Sequence, residues 1–84
     1  MLNADNLATV RTFHGLTQRK LAALLDVSQP YIAQVEAGAR PLTDSLRNKI
    51  AATLDLTADK MAQIMAIDSQ RQTLLRAYSS ADLR

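Results

Sequence analysis

Two amide side chains, Gln29 and Gln34, lie on either side of a short stretch that also holds Pro30 and Tyr31. An amide carries a donor and an acceptor together, so it can match a mixed donor–acceptor edge without bearing charge. A third amide, Gln18, and the hydroxyls of Thr17 and Ser28 precede them. This is the chemistry of recognition. Reaction chemistry has little to build on, because His14 is the single histidine and cysteine is absent. That pairing excludes thiol catalysis, disulfides, thiolate metal sites and a His/Asp/Glu zinc site of ordinary spacing. No nucleophile–base pairing, phosphate-cradling glycine loop or carboxylate pair in an evident cleft appears either. An enzyme is not expected, and no cofactor or metal is implied.

Helices must hold these side chains. Many Ala and Leu, two glycines, two prolines and few aromatics favour helix over strand. The first helix is expected from about Asp5 to Phe13, with Leu7, Val10 and His14 near one face and Gly15 ending it. Thr17 caps a second, whose inward stripe reads Leu21, Leu24 and Leu25, with Ala22 allowing close approach. Asp26 and Val27 interrupt the pattern. Ser28 caps a third, which tolerates Pro30 because first-turn amides have no acceptor inside the helix. That helix buries Ile32 and Val35 and stops at Gly38. Thr43 caps a fourth, with Leu46, Ile50 and Leu54 on one face. Thr57 caps a fifth, whose Met61, Ile64 and Met65 suit a core or a subunit contact. Beyond Asp68 two readings stand: a separate sixth helix, or a fifth helix that continues to about Tyr78. In both, Leu74, Leu75 and Tyr78 share a face.

The second and third helices meet across a turn with almost no slack. Ala22, Val27, Ile32 and Val35 are small or branched where two steeply crossing helices must pack. The start of the third helix is then left projecting, with Gln29, Pro30, Tyr31, Ala33 and Gln34 on its free side. A convex helix end of this width fits the major groove of B-DNA, where base edges are exposed.

At this point the chain resembles the phage-repressor and Cro-like (Xre) helix-turn-helix family, over roughly Leu7 to Met61. The features occur in order: Arg11 before Gly15-Leu16-Thr17-Gln18, then Leu21-Ala22, Val27-Ser28, Ile32, Glu36-x-Gly38, Pro41 and Leu54-x-Leu56. Each is weak alone, and together they are specific. The resemblance implies an all-α, five-helix lambda-repressor-like fold with a C-terminal helical extension. It implies that Gln18 hydrogen-bonds a phosphate and braces a reading side chain. Ser28, Gln29, Pro30 and Gln34 fall where relatives touch bases and adjacent backbone. A glutamine amide suits the N7/N6 edge of adenine, whereas Pro30 offers a thymine methyl contact or a stiffened helix start. Tyr31 either reaches a phosphate through its hydroxyl or packs sideways on the second helix. Arg40 is placed for the DNA backbone or a narrow minor groove. Arg11 and Glu36 match a structural pair bridging the first helix to the end of the third. One departure is Asp26, where relatives usually carry glycine; the turn needs a left-handed backbone, which Asp visits at modest cost.

Length sharpens these expectations. A domain of 84 residues buries only about 60% of the surface of its unfolded chain. Chains this small add disulfides, a metal or a partner subunit, and here only a partner is left. A homodimer is therefore expected. The division anticipated is a DNA-binding unit over 1–66 and an extension over 67–84 serving dimerisation. Net charge is only +2, from ten Lys/Arg and eight Asp/Glu. The first half is the more basic, with Arg11, Arg19, Lys20 and Arg40 against Asp26 and Glu36 between Thr9 and Arg40. No apolar run approaches the ~20 residues of a membrane span. The opening Met1-Leu2-Asn3-Ala4-Asp5 does not read as a signal peptide, so a cytoplasmic location is expected. The leading reading is a regulator, a homodimeric repressor on a palindromic double-stranded DNA site. The alternative is a protein-interaction module, such as an antitoxin, whose main partner is another protein docking after Asp68.

Overall fold

The structure, a computed structural model, describes residues 1–82. Five helices follow one another: α1 (Leu7–Phe13), α2 (Gln18–Leu25), α3 (Gln29–Glu36), α4 (Asp44–Thr53) and α5 (Ala58–Asp82). No strand occurs among the described residues. Each of the three central starts has the hydroxyl cap its sequence suggests. Thr17 accepts from the Lys20 amide, Ser28 from Tyr31 and Thr43 from Leu46. Each bond satisfies one of the orphan first-turn donors. The Thr57 hydroxyl does the same for the Lys60 amide at the start of α5.

Helix ends share one device. Gly15, Asp26, Gly38 and Asp55 all take positive φ, between 53° and 78°. The amide after each turns back to a carbonyl inside the helix just ended: Leu16 to Arg11, Val27 to Ala22, Ala39 to Gln34 and Leu56 to Ala51. At three of the four, the residue carrying that amide (Leu16, Val27, Leu56) packs on the core, so the reversal is closed by an apolar contact as well. Two of these left-handed positions are filled by aspartate, which pays less than most side chains there.

The core collects the inward positions of all five helices. Leu7, Val10, Leu21, Leu25, Ile32, Val35, Ile50 and Ile64 are fully buried, and Leu2 folds in from the N-terminal strap. Arg47 fixes that strap by donating from Nε to the Leu2 carbonyl at 2.9 Å. α2 packs chiefly on α3 and also on α4, while α1 rests on α5.

Two expectations are corrected and one open alternative is resolved. α1 begins at Leu7 rather than Asp5, because Asn3 and Asn6 exchange side-chain-to-amide bonds of 2.8 and 3.0 Å. Such local bonds compete with helix formation. Leu24 points outward, 54% exposed, since the buried stripe of α2 is Leu21, Ala22 and Leu25 and Leu24 lies a quarter-turn or more from its centre. The stretch after Asp68 is no separate helix. Asp68 sits inside α5 and pairs with Arg71 at 3.0 Å instead of capping. α5 therefore runs for 25 residues, about 37 Å at 1.5 Å per residue. Only its first part is covered: Met61 and Ile64 are buried, whereas Ile67, Leu74, Leu75 and Tyr78 are exposed. The last two residues of the 67–84 extension lie outside the described residues.

Candidate nucleic-acid interface

α3 is anchored by one side only. Ile32 and Val35 are wholly buried, and the opposite side presents Pro30, Ala33, Gln34 and Ala37. Gln29 and Glu36 share one flank, and Tyr31 lies on the other, as 3.6 residues per turn requires. Of the nine residues singled out in the sequence, Arg11, Gln18, Gln29 and Glu36 gather on the first flank and Ser28, Tyr31 and Arg40 on the other, with Pro30 and Gln34 facing outward between them.

On the first flank, four side chains form a continuous chain of hydrogen bonds. Arg11 grips Glu36 through two bonds, Nε to Oε2 at 2.7 Å and Nη2 to Oε1 at 3.1 Å. A third donor of Arg11 reaches the Leu16 carbonyl at 2.8 Å, tying the pair to the α1–α2 joint. Only 13% of the Arg11 side chain and 7% of Glu36 remain exposed, so the pair is largely withdrawn from water. Glu36 Oε1 also accepts from Gln18 Nε2 at 2.9 Å, and Gln18 Oε1 accepts from Gln29 Nε2 at 2.9 Å. The order of atoms is dictated chemically. A carboxylate only accepts, so Gln18 must turn its NH₂ toward Glu36 and its oxygen toward Gln29. Gln29 then donates inward, leaving its Oε1 and its second N–H free at the surface.

The second flank is built by the turn after α3. With Gly38 at φ 78°, the Ala39 and Arg40 amides both fold back on the Gln34 carbonyl, at 2.8 and 3.2 Å. Arg40 is thereby laid across α3. Its guanidinium stands 5.7 Å from the centre of the Tyr31 ring, and its Nε donates to Gln34 Oε1. Guanidinium–ring contact at this distance is attractive. Tyr31 is half-buried and its side chain packs against the core. Ser28, Pro30, Tyr31, Gln34 and Arg40 border one shallow concavity. Ser28 Oγ accepts the Tyr31 amide, which leaves its hydroxyl proton free to donate outward.

Arg19 and Lys20 are exposed at the start of α2, beside Gln18. Among the described residues, no group of three His, Cys, Asp or Glu side chains is placed to hold a metal ion. No helix there is long and apolar enough to cross a membrane. The Arg11–Glu36 pair and a bracing Gln18 were expected; what the sequence did not disclose is the Gln18–Glu36 bond that joins them, with Gln29, into one chain. The Arg40 clamp was also hidden, because nine residues separate Arg40 from Tyr31 and no helical period relates them.

Two short capped helices crossing at a tight left-handed joint, the second buried on one side and amide-bearing on the other, define a helix-turn-helix DNA-binding protein. The helix-turn-helix family model HTH_3 matches residues 7–61, from the first residue of α1 into α5. The chain belongs to this Cro/C1-type, Xre-like family of double-stranded DNA-binding regulators. Neither a curated protein nor a solved structure matches it.

Proposed function

We propose that the chain is a repressor that binds a palindromic operator as a homodimer and reads bases with α3. The observation that carries this reading is the pre-set Gln29 amide. Its inward N–H is committed through Gln18 and Glu36 to Arg11, so a donor and an acceptor face outward in fixed order. That order fits the N6/N7 edge of adenine. A side chain already held in its binding geometry loses less freedom on association.

Neighbouring roles follow from what each side chain has left to offer. The second N–H of Gln18 and the unbonded amides at the start of α2 are assigned to a phosphate. The Ser28 hydroxyl donates to backbone or base. Pro30 presses on a thymine methyl, and the Tyr31 hydroxyl and the terminal nitrogens of Arg40 meet phosphates. Arg11 and Glu36 stay inside as the anchor of the bonded chain. Residues 1–66 form the DNA-binding unit and 67–84 the extension that pairs two copies in the cytoplasm.

Support for pairing comes from α5. Tyr78 is 68% exposed and Leu74 60%, on a helical segment that no other element among the described residues covers. Most helix stability in proteins comes from packing of an apolar face, so a second copy packing there stabilises both. Dimerisation would set two α3 helices about 34 Å apart, one turn of DNA.

Selection of bound sequences from a random duplex pool tests the reading. The expected result is an inverted repeat with half-sites one helical turn apart, bound by two chains. Enrichment of no sequence, or of a site without two-fold symmetry, would contradict it.

A further inference from the structure

Gln34 is held differently from Gln29, and the difference bears on which base it can select. Its partner, Arg40, has donors and no acceptor. The Gln34 end that faces Arg40 must therefore be Oε1, and the structure has Arg40 Nε donating to it. Arg40 is itself fixed twice over, by its amide on the Gln34 carbonyl at 3.2 Å and by its guanidinium over Tyr31. The Gln34 NH₂ is left to face the open side of α3.

Free glutamine turns its amide over and accommodates adenine, which presents one acceptor and one donor, as readily as an edge of acceptors. A Gln34 that only donates matches guanine, whose O6 and N7 both accept. We infer that Arg40 is a specificity-determining positioning residue: by holding the oxygen of Gln34 it makes that glutamine select guanine over adenine. The inference rests on the proposal that α3 reads bases. It goes beyond it by giving the two reading amides opposite outward polarity, mixed at Gln29 and donor-only at Gln34.

The test repeats the random-duplex selection with the wild-type chain, Gln34→Ala and Arg40→Met. Gln34→Ala identifies the base pair that Gln34 reads, as the position whose preference disappears. At that position the wild type is expected to prefer guanine over adenine roughly tenfold, within the range of a good bidentate contact. Arg40→Met keeps an apolar stem on Tyr31 but has no donor. It is expected to reduce the preference to about twofold or less while the Gln29 position is unchanged. Thermal unfolding of each variant checks the fold, which an exposed Arg40 should leave intact. An undiminished guanine preference in Arg40→Met overturns the inference alone. So does adenine at the Gln34 position of the wild type, or a Gln34→Ala profile identical to wild type. Failure of the wild type to enrich any sequence removes the base-reading proposal itself, and the inference with it.

Discussion

A single carboxylate, Glu36, carries two duties at the residue scale. It neutralises Arg11 and it sets the orientation of Gln18, which in turn sets Gln29. Removing the two ends of this chain should therefore have separable effects. Gln29→Ala lies at the wet end, and is expected to weaken cognate binding by ~1–3 kcal/mol and relax base choice without lowering stability. Glu36→Ala leaves Arg11 withdrawn from water without its counter-charge, which costs about 3 kcal/mol of folding stability. Urea denaturation with binding titrations separates the two. Equal stability losses in both variants would mean that Gln29 is a structural member rather than a reader. The sequence, through its family resemblance, supplied Arg11 and Glu36 as a pair and Gln18 as a brace for a reading side chain. Their bonding order was out of reach, since it depends on side chains from three helices meeting.

Among the elements, the most legible were the helix starts, where Thr17, Ser28 and Thr43 mark the caps by residue type alone. The ends were half legible. Gly15 and Gly38 announce a left-handed residue, and Asp26 could be inferred by position within the corner. Asp55 could not, because an aspartate is ordinary helix-end surface unless the bond from the Leu56 amide to the Ala51 carbonyl is known. Both aspartates sit at positive φ, where alanine meets a steeper steric cost. Asp26→Ala and Asp55→Ala are each expected to lose about 1 kcal/mol of stability, read as a shift in the urea midpoint with unchanged slope. No shift in either would show that the joints are held by packing alone. Leu24 shows the limit of pattern reading in a helix of two turns: a stripe of leucines does not by itself say which one turns outward.

For the whole molecule, the proposed pairing of two copies turns on the long fifth helix. Its exposed Ile67 and the neighbouring Phe13 edge a groove between α1 and α5, also lined by Asp68 and Arg71. Leu74→Glu is accordingly expected to shift sedimentation from dimer to monomer and to weaken operator binding, leaving the helix content of residues 7–61 intact. A variant that still sediments as a dimer would move the interface to another surface. A wild-type chain that is monomeric would favour a different protein partner for α5. The continuity of α5 was ambiguous in the sequence because Asp68 is as good a cap as it is an i,i+3 partner for Arg71.

Titration of ¹⁵N-labelled protein with duplex DNA at low salt, followed through backbone and glutamine side-chain NH₂ resonances, shows which surface meets the duplex. Shifts are expected at the start of α2, along the outer side of α3 and through residues 38–41, with the Gln29 and Gln34 NH₂ pairs among the largest. Shifts confined to α5, or silent Gln29 and Gln34 amides in a chain that binds the duplex, would contradict base reading by α3.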